Sequence, residues 1–206
     1  MSEKNDIKIS APDGIKISAL LKSAADHALP VVRDIGDEQL GAPTPCAEYD
    51  VHALLDHLFQ VVVNFQALAA KRDADFGAAP EHLTGEWRER FAAETARLVD
   101  AWDAPGADEG TSGAMGLPAR TVGSMVLGDL TVHAWDLARA TGQPYEPDAA
   151  LVGLLTAEFG SLAPTARKMG VFGEPVPVAP DAAPFDVLLA LTGRDPGWVP
   201  PHRPQD

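Results

Sequence analysis

A carboxylate and an imidazole set within an apolar helical row constrain this chain more than any other feature. In VLGDLTVHAWDLARATG, residues 126–142, Asp129 and His133 are four positions apart. Four residues make just over one helical turn, so both side chains leave the same face, about 6 Å apart along the axis. Val122, Val126 and Leu137 share that face. An ionised carboxylate among such neighbours is costly to bury unless it is paired or holds a cation. A third polar residue, His57, falls on the inward face of an earlier helical segment. Two imidazoles and one carboxylate can hold a divalent transition metal and leave positions open for water or substrate. The plainer alternative is an Asp129–His133 helix pair with His57 as a hydrogen-bonded core histidine, and spacing leaves both open.

The rest of the pattern is helical. Apolar residues recur at helical spacing from about Ile15 to Ile35, where Pro30 should kink or end the helix. GAPTPCAEYD then reads as a loop closing on Asp50, a predicted N-cap. The next helix runs from Val51 to about Lys71, with Leu54, His57, Leu58, Val61 and Phe65 inward. His52, Asp56, Gln60 and Asn64 form its expected solvent side. A third helix spans about Thr84 to Trp102, on a stripe of Trp87, Phe91, Thr95 and Leu98. DAPGADEGTSGAMGLPAR reads as a linker carrying a long crossover. The fourth helix, about Thr121 to Ala140, has the inward row Val122, Val126, Asp129, His133, Asp136, Leu137 and Ala140 and stops at Gly142. Shorter helices are expected at about Asp148–Leu162 and Phe185–Thr192, around a Pro-rich passage, and no strand pair is convincing.

The fold class is therefore all-α: a four-helix bundle with one long crossover and a small C-terminal helical extension. Residues 1–13 read as a flexible leader and 14–206 as one domain, with the bundle over about 14–142 and the extension over about 143–206. At 206 residues the chain can bury one substantial core, and its 46% hydrophobic and 22% charged fractions are those of a globular protein.

Charge narrows the partners. A formal charge of −14 without a Lys/Arg cluster argues against nucleic acid and anionic membrane surfaces. No apolar run approaches the roughly 20 residues that span a bilayer, and the polar N-terminus lacks a secretory signal. The expected compartment is the cytoplasm. One cysteine, Cys46, excludes an internal disulfide.

Other candidates have plainer readings. Asp136 lies two turns from Asp129 and reads as an outer acceptor for a ligand imidazole or a structural residue, with fourth ligation the lesser option. Cys46 precedes a helix start that could depress its pKa, but roughly 10 Å of helix separates that start from His57. It reads as a buried structural thiol rather than a ligand of the same metal. His27, His52, His82 and His202 have no partner at ligand spacing, and Trp87 and Trp135 read as core or pocket-wall aromatics. Arg194 caps the last helix or reaches a pocket to bind a carboxylate.

Three segments, PTPCAEYDVHALLDHLF, HAWDLARATGQ and FGEPVPV…LLALTGRDPGW, together resemble DinB-like metal-binding proteins related to the metal-binding domain of mycothiol-dependent maleylpyruvate isomerase. The resemblance covers nearly the whole chain after the leader and is most specific at HAWDLARATG. It implies a DinB/YfiT-like four-helix bundle. It also implies a divalent metal held by a histidine of the second helix and an E/D-x-x-x-H pair, positions matched by His57, Asp129 and His133. Zinc is the first expectation, with nickel or another transition metal allowed. The isomerase pattern has Glu where this chain has Asp129, and a separate C-terminal domain that this chain is expected to lack, so its substrate is not carried over.

The chemistry such a centre would support is Lewis-acid activation. The resemblance makes mycothiol the natural thiol, attacking a small electrophile in an isomerase or S-transferase reaction. A metal-dependent hydrolase is the enzymatic rival, and a metal-stapled binding or stress-response module the non-enzymatic one. A homodimer is compatible with the chain. Metal is expected to leave as the histidines protonate near their usual pKa of about 6.5.

Overall fold

The computed structural model describes residues 15–77, 81–114 and 116–201, so the leader and His202 lie outside it. The described fold is all-α but for one short strand pair. Its first four helices are α1 (Ile17–Arg33), α2 (Val51–Ala69), α3 (Trp87–Asp103) and α4 (Ala119–Thr141). Helices α5 (Ala149–Lys168) and α6 (Pro184–Leu191) follow. Each of α1 and α2 packs against both α3 and α4, while α5 lies on α6 and touches α4.

Local chemistry sets the boundaries. The Asp50 carboxylate accepts the Ala53 N–H at 2.8 Å, capping α2 as expected. Gly142, at φ +75°, ends α4 in the left-handed conformation, which costs a residue without a Cβ least. Pro30 does not end α1, which runs three residues further, and α5 likewise passes through Pro164 to Lys168, beyond its expected end at Leu162. Both prolines are exposed and lie in a last turn or near it. The N–H that each lacks would have met the carbonyl of exposed Asp26 or Gly160, which is open to solvent.

Residues 103–114 and 116–120 are more ordered than a linker. They contain an antiparallel pair, β1 (Thr111–Ser112) with β2 (Leu117–Pro118), contrary to the expectation of no strands. Buried Ser112 donates its hydroxyl to the Leu68 carbonyl at 2.9 Å, and Lys71 bonds the Ala107 carbonyl. The turn is thereby tied to the end of α2.

The expected solvent side of α2 is likewise occupied. His52 is exposed, but Asn64 donates to the Asp75 carbonyl at 3.0 Å and Gln60 to that of Phe76 at 3.1 Å. Asp56 accepts the His82 N–H at 2.9 Å. These side chains hold the α2–α3 connection against the helix, which periodicity alone cannot distinguish from facing water.

Helix α4 is buried nearly all round, well beyond the single inward row expected. One side meets α1 and α2; Val132 and Trp135 on the other pack with Leu189 of α6. Two glycines allow the approach. A Cβ on Gly123 would lie 2.8 Å from Ile17 Cγ2, and one on Gly128 would lie 2.0 Å from Phe159 Cζ of α5. By length and composition α5 is apolar enough to cross a bilayer, contrary to the sequence expectation, yet Leu151, Val152, Leu155 and Phe159 are buried in the fold.

Candidate metal centre

The inward faces of α2 and α4 bring His57, Asp129 and His133 together. One donor atom from each lies within 4.8 Å of the other two. The His57 and His133 rings meet edge to face at 5.2 Å between centroids, and His133 Nε2 stands 3.8 Å from Asp129 Oδ1. The helical spacing that placed Asp129 and His133 on one face therefore also aims them at a histidine of a second helix. Two imidazoles and a carboxylate suit a divalent transition metal, and the separations are small enough for one ion to reach all three.

Electrostatics prepares the donors. Burial, assisted by His133 and by the nearby positive charge of Arg194, pushes His57 down to a pKa of about 4. His57 is therefore neutral, the form a metal requires, across the whole range near neutrality. The expectation that histidine protonation near 6.5 releases metal does not hold for His57. Asp129 keeps 31% of its side-chain surface exposed, yet loss of hydration raises its carboxyl pKa, opposed by His133 and Arg194. A cation would offset that cost.

Behind His133 lies a second layer. Its Nδ1 is 2.9 Å from Asp136 Oδ2, and Asp136 is 0% exposed. Arg194, 8% exposed, reaches the same carboxylate oxygen at 3.2 Å and donates to the Thr192 carbonyl at 3.1 Å. Thr192 is the C-cap of α6, so Arg194 both meets the end of that helix and enters the site. Asp136 thus sits on the Nδ1 side of the ring, away from the nitrogen that faces Asp129.

One residue here escaped sequence reading, and Cys46 stands nearer to the site than the sequence suggested. Tyr49 stacks on His57 at 5.3 Å and 15° between planes, and nothing in the pattern YDVH signals it. Cys46, half-buried, brings its sulfur within 4.8 Å of donor atoms of His133 and Asp136. It comes this close because the loop folds back through the Val51 N–H to Ala42 carbonyl bond at 3.0 Å and the His52 N–H to Leu40 carbonyl bond at 2.8 Å. It does not belong to the His57–Asp129–His133 set; the two groups share only His133. Burial raises the thiol pKa and Arg194 opposes it, so Cys46 is not an activated nucleophile.

The other candidates take structural places. His27 Nδ1 bonds the Ser23 carbonyl at 2.8 Å, His82 stacks on Phe59, and Trp87 and Trp135 are core residues. Beside the centre, Tyr49 also lines an open cleft of about 440 Å³ with Thr44, Glu48, Asp50 and Trp198.

Two uncharacterized proteins of Mycobacterium tuberculosis, one from strain CDC 1551 / Oshkosh and one from strain H37Rv, resemble the chain. Each is 33% identical over 178 residues, covering 83% of this chain and 93% of the relative. No solved structure matches significantly. The profile of the mycothiol maleylpyruvate isomerase N-terminal domain matches residues 21–138, more than half the chain and the stretch that carries His57, Asp129 and His133. The chain belongs to that domain family, a mycothiol-related, DinB-like family of metal-binding proteins.

Proposed function

We propose that this protein is a DinB-type four-helix bundle that binds one divalent metal, zinc by preference, through His57, Asp129 and His133. We propose further that it uses the centre to activate a small thiol, mycothiol by its family, against a small electrophile. The observation that carries the reading is the convergence of three donor atoms within 4.8 Å from two helices. When bound, the metal supplies Lewis acidity that stabilises a thiolate over a thiol at neutral pH.

The protein's own groups have definable tasks. His57 stays neutral because it is buried, and so offers its lone pair without first losing a proton. Asp129 brings one negative charge, leaving a net positive centre that attracts a thiolate. The Tyr49 ring covers one face of His57 and limits water there. Three protein donors leave room for an exogenous ligand, as a catalytic rather than a closed structural site requires. Asp136 lies on the Nδ1 side of His133, away from Asp129, with Oδ2 engaged by His133 and Arg194, which argues against its closing the sphere as a fourth ligand.

The test is to load the protein with zinc and vary the thiol at fixed metal occupancy. Mycothiol should bind and its transfer to a model electrophile or isomerisation of an unsaturated acid should accelerate, while Asp129→Ala should lose that activity with its helical content intact. Turnover indifferent to thiol but sustained by water would replace this reading with a hydrolase. A filled centre that binds neither thiol nor substrate would make the metal structural.

A further inference from the structure

Capture of a metal by His57, Asp129 and His133 leaves two buried charges without a direct task, Asp136 and Arg194. Both press on one atom, His133 Nδ1. Asp136 Oδ2 is 2.9 Å from it and Arg194 Nη2 3.4 Å, while Arg194 and Asp136 approach each other at 3.2 Å. The two neighbours make opposite demands. A carboxylate accepts a proton from Nδ1, whereas a guanidinium can only donate to it. A neutral imidazole carries one proton, so the winner at Nδ1 decides whether Nε2 has a lone pair.

The geometry favours the carboxylate. Its contact is the shorter, and the Arg194 NH2 group is nearer to Asp136 than to the ring. The proton then sits on Nδ1, and Nε2 presents its lone pair toward Asp129 and the centre. Arg194 holds this outcome in place. One arm fixes Asp136 and the other is anchored on the Thr192 carbonyl, so the carboxylate is locked from a different element. Asp136 Oδ1 has no hydrogen-bond partner among the described residues, so Arg194 and His133 are what orient this side chain.

Arg194 lies outside residues 21–138, in the segment formed by α6 and the turn after it. That segment is seated on α4 by Leu189 against Val132 and Trp135, and by Arg139, which donates to the Trp198 carbonyl at 2.6 Å. We propose that Arg194 is a positioning residue: through Asp136 it fixes the Nδ1-protonated tautomer of His133, so that the C-terminal segment completes the metal centre. The link to metal rests on the proposed function; the tautomer does not.

The test uses the full chain with ¹⁵N-labelled histidine, metal-free, at a pH of about 8, where a free imidazole is neutral. Wild-type His133 should show a protonated Nδ1 and an unprotonated Nε2. Arg194→Met should give a mixture of tautomers, and its zinc affinity, measured by chelator competition, should fall about 10- to 100-fold, the range typical of partners that orient a ligand. Arg194→Lys should restore part of both, since one ammonium cannot hold Thr192 and Asp136 together. Leu98→Ala loosens the core at α3, away from this segment, and should leave the tautomer unchanged. A wild-type tautomer in Arg194→Met overturns the proposal, as does an equal shift in Leu98→Ala. Should the Met variant not fold, the Lys variant against Leu98→Ala decides in the same way. A tautomer that follows Arg194 in a protein that takes no zinc keeps the brace and overturns the metal reading instead.

Discussion

Helices α2 and α4 both supply the candidate centre, and they are built differently. Helix α2 buries one face and keeps His52 and Val63 in water, with the α2–α3 connection lying over part of the rest. Its contribution, His57, has ring contacts with Tyr49 and His133 and no hydrogen bond among the described residues. Helix α4 is covered on both sides, and its His133, 7% exposed, is gripped at Nδ1 by Asp136 with Arg194 behind. One histidine is held by surroundings alone and the other by a chain of charges. The difference teaches that two imidazoles brought to one point need not be held there in the same way.

The sharpest way to break this comparison is to remove each histidine. His57→Ala and His133→Ala should both weaken zinc binding about a thousandfold, or ~4 kcal/mol, whereas exposed His52→Ala should not change it. Stability of the metal-free protein should separate them. Loss of His133 leaves a buried carboxylate short of a partner and should cost about 2 kcal/mol in urea denaturation, while loss of unbonded His57 should cost less. Equal destabilisation would erase the distinction between the two histidines.

A second measurement uses pH. With a folded pKa of about 4 against about 6.5 in the unfolded chain, His57 binds its proton first in the unfolded state. Between those values stability from this group rises with pH; above about 6.5 it is constant. Taking metal-free protein from pH 7 to 4 should therefore lose on the order of 3 kcal/mol through His57. His57→Gln should be less sensitive by that amount. An unchanged pH slope would place the acid sensitivity elsewhere.

The smallest effects sharpen the burial contrast between α4 and its neighbour α5. Gly128→Ala drives a Cβ to 2.0 Å from the Phe159 ring, and such overpacking should cost about 1–3 kcal/mol. Gly153→Ala on the exposed face of α5 meets nothing within 4 Å and should gain about 0.5–1 kcal/mol from helix propensity. Thermal melts of the two variants should move in opposite directions.

Residue periodicity carried the described helices well, because apolar spacing reports directly which side of a helix leaves water. It located all six, predicted the Asp50 cap, and placed Asp129 and His133 on one face. It failed where more than one element covers a helix. The polar row of α2 looked exposed because a side chain that bonds a loop carbonyl and one that bonds water have the same polarity. The row on α4 looked narrow because Trp135 and Val132 face α6, whose position no local pattern reports.

The sequence by itself determined what depends on neighbours within a turn or two: helix positions, end signals, and the shared face of Asp129 and His133. It also carried the family, since the motifs around these residues are local strings. Only the tertiary structure decided that His57 meets that pair, that Cys46 lies beside His133, and that Arg194 reaches Asp136 from 58 residues away. The physical reason is range. Helix geometry fixes side-chain directions over about 6 Å. Contacts between elements depend on how whole faces pack, and there two glycines and one buried ion pair outweigh any local preference.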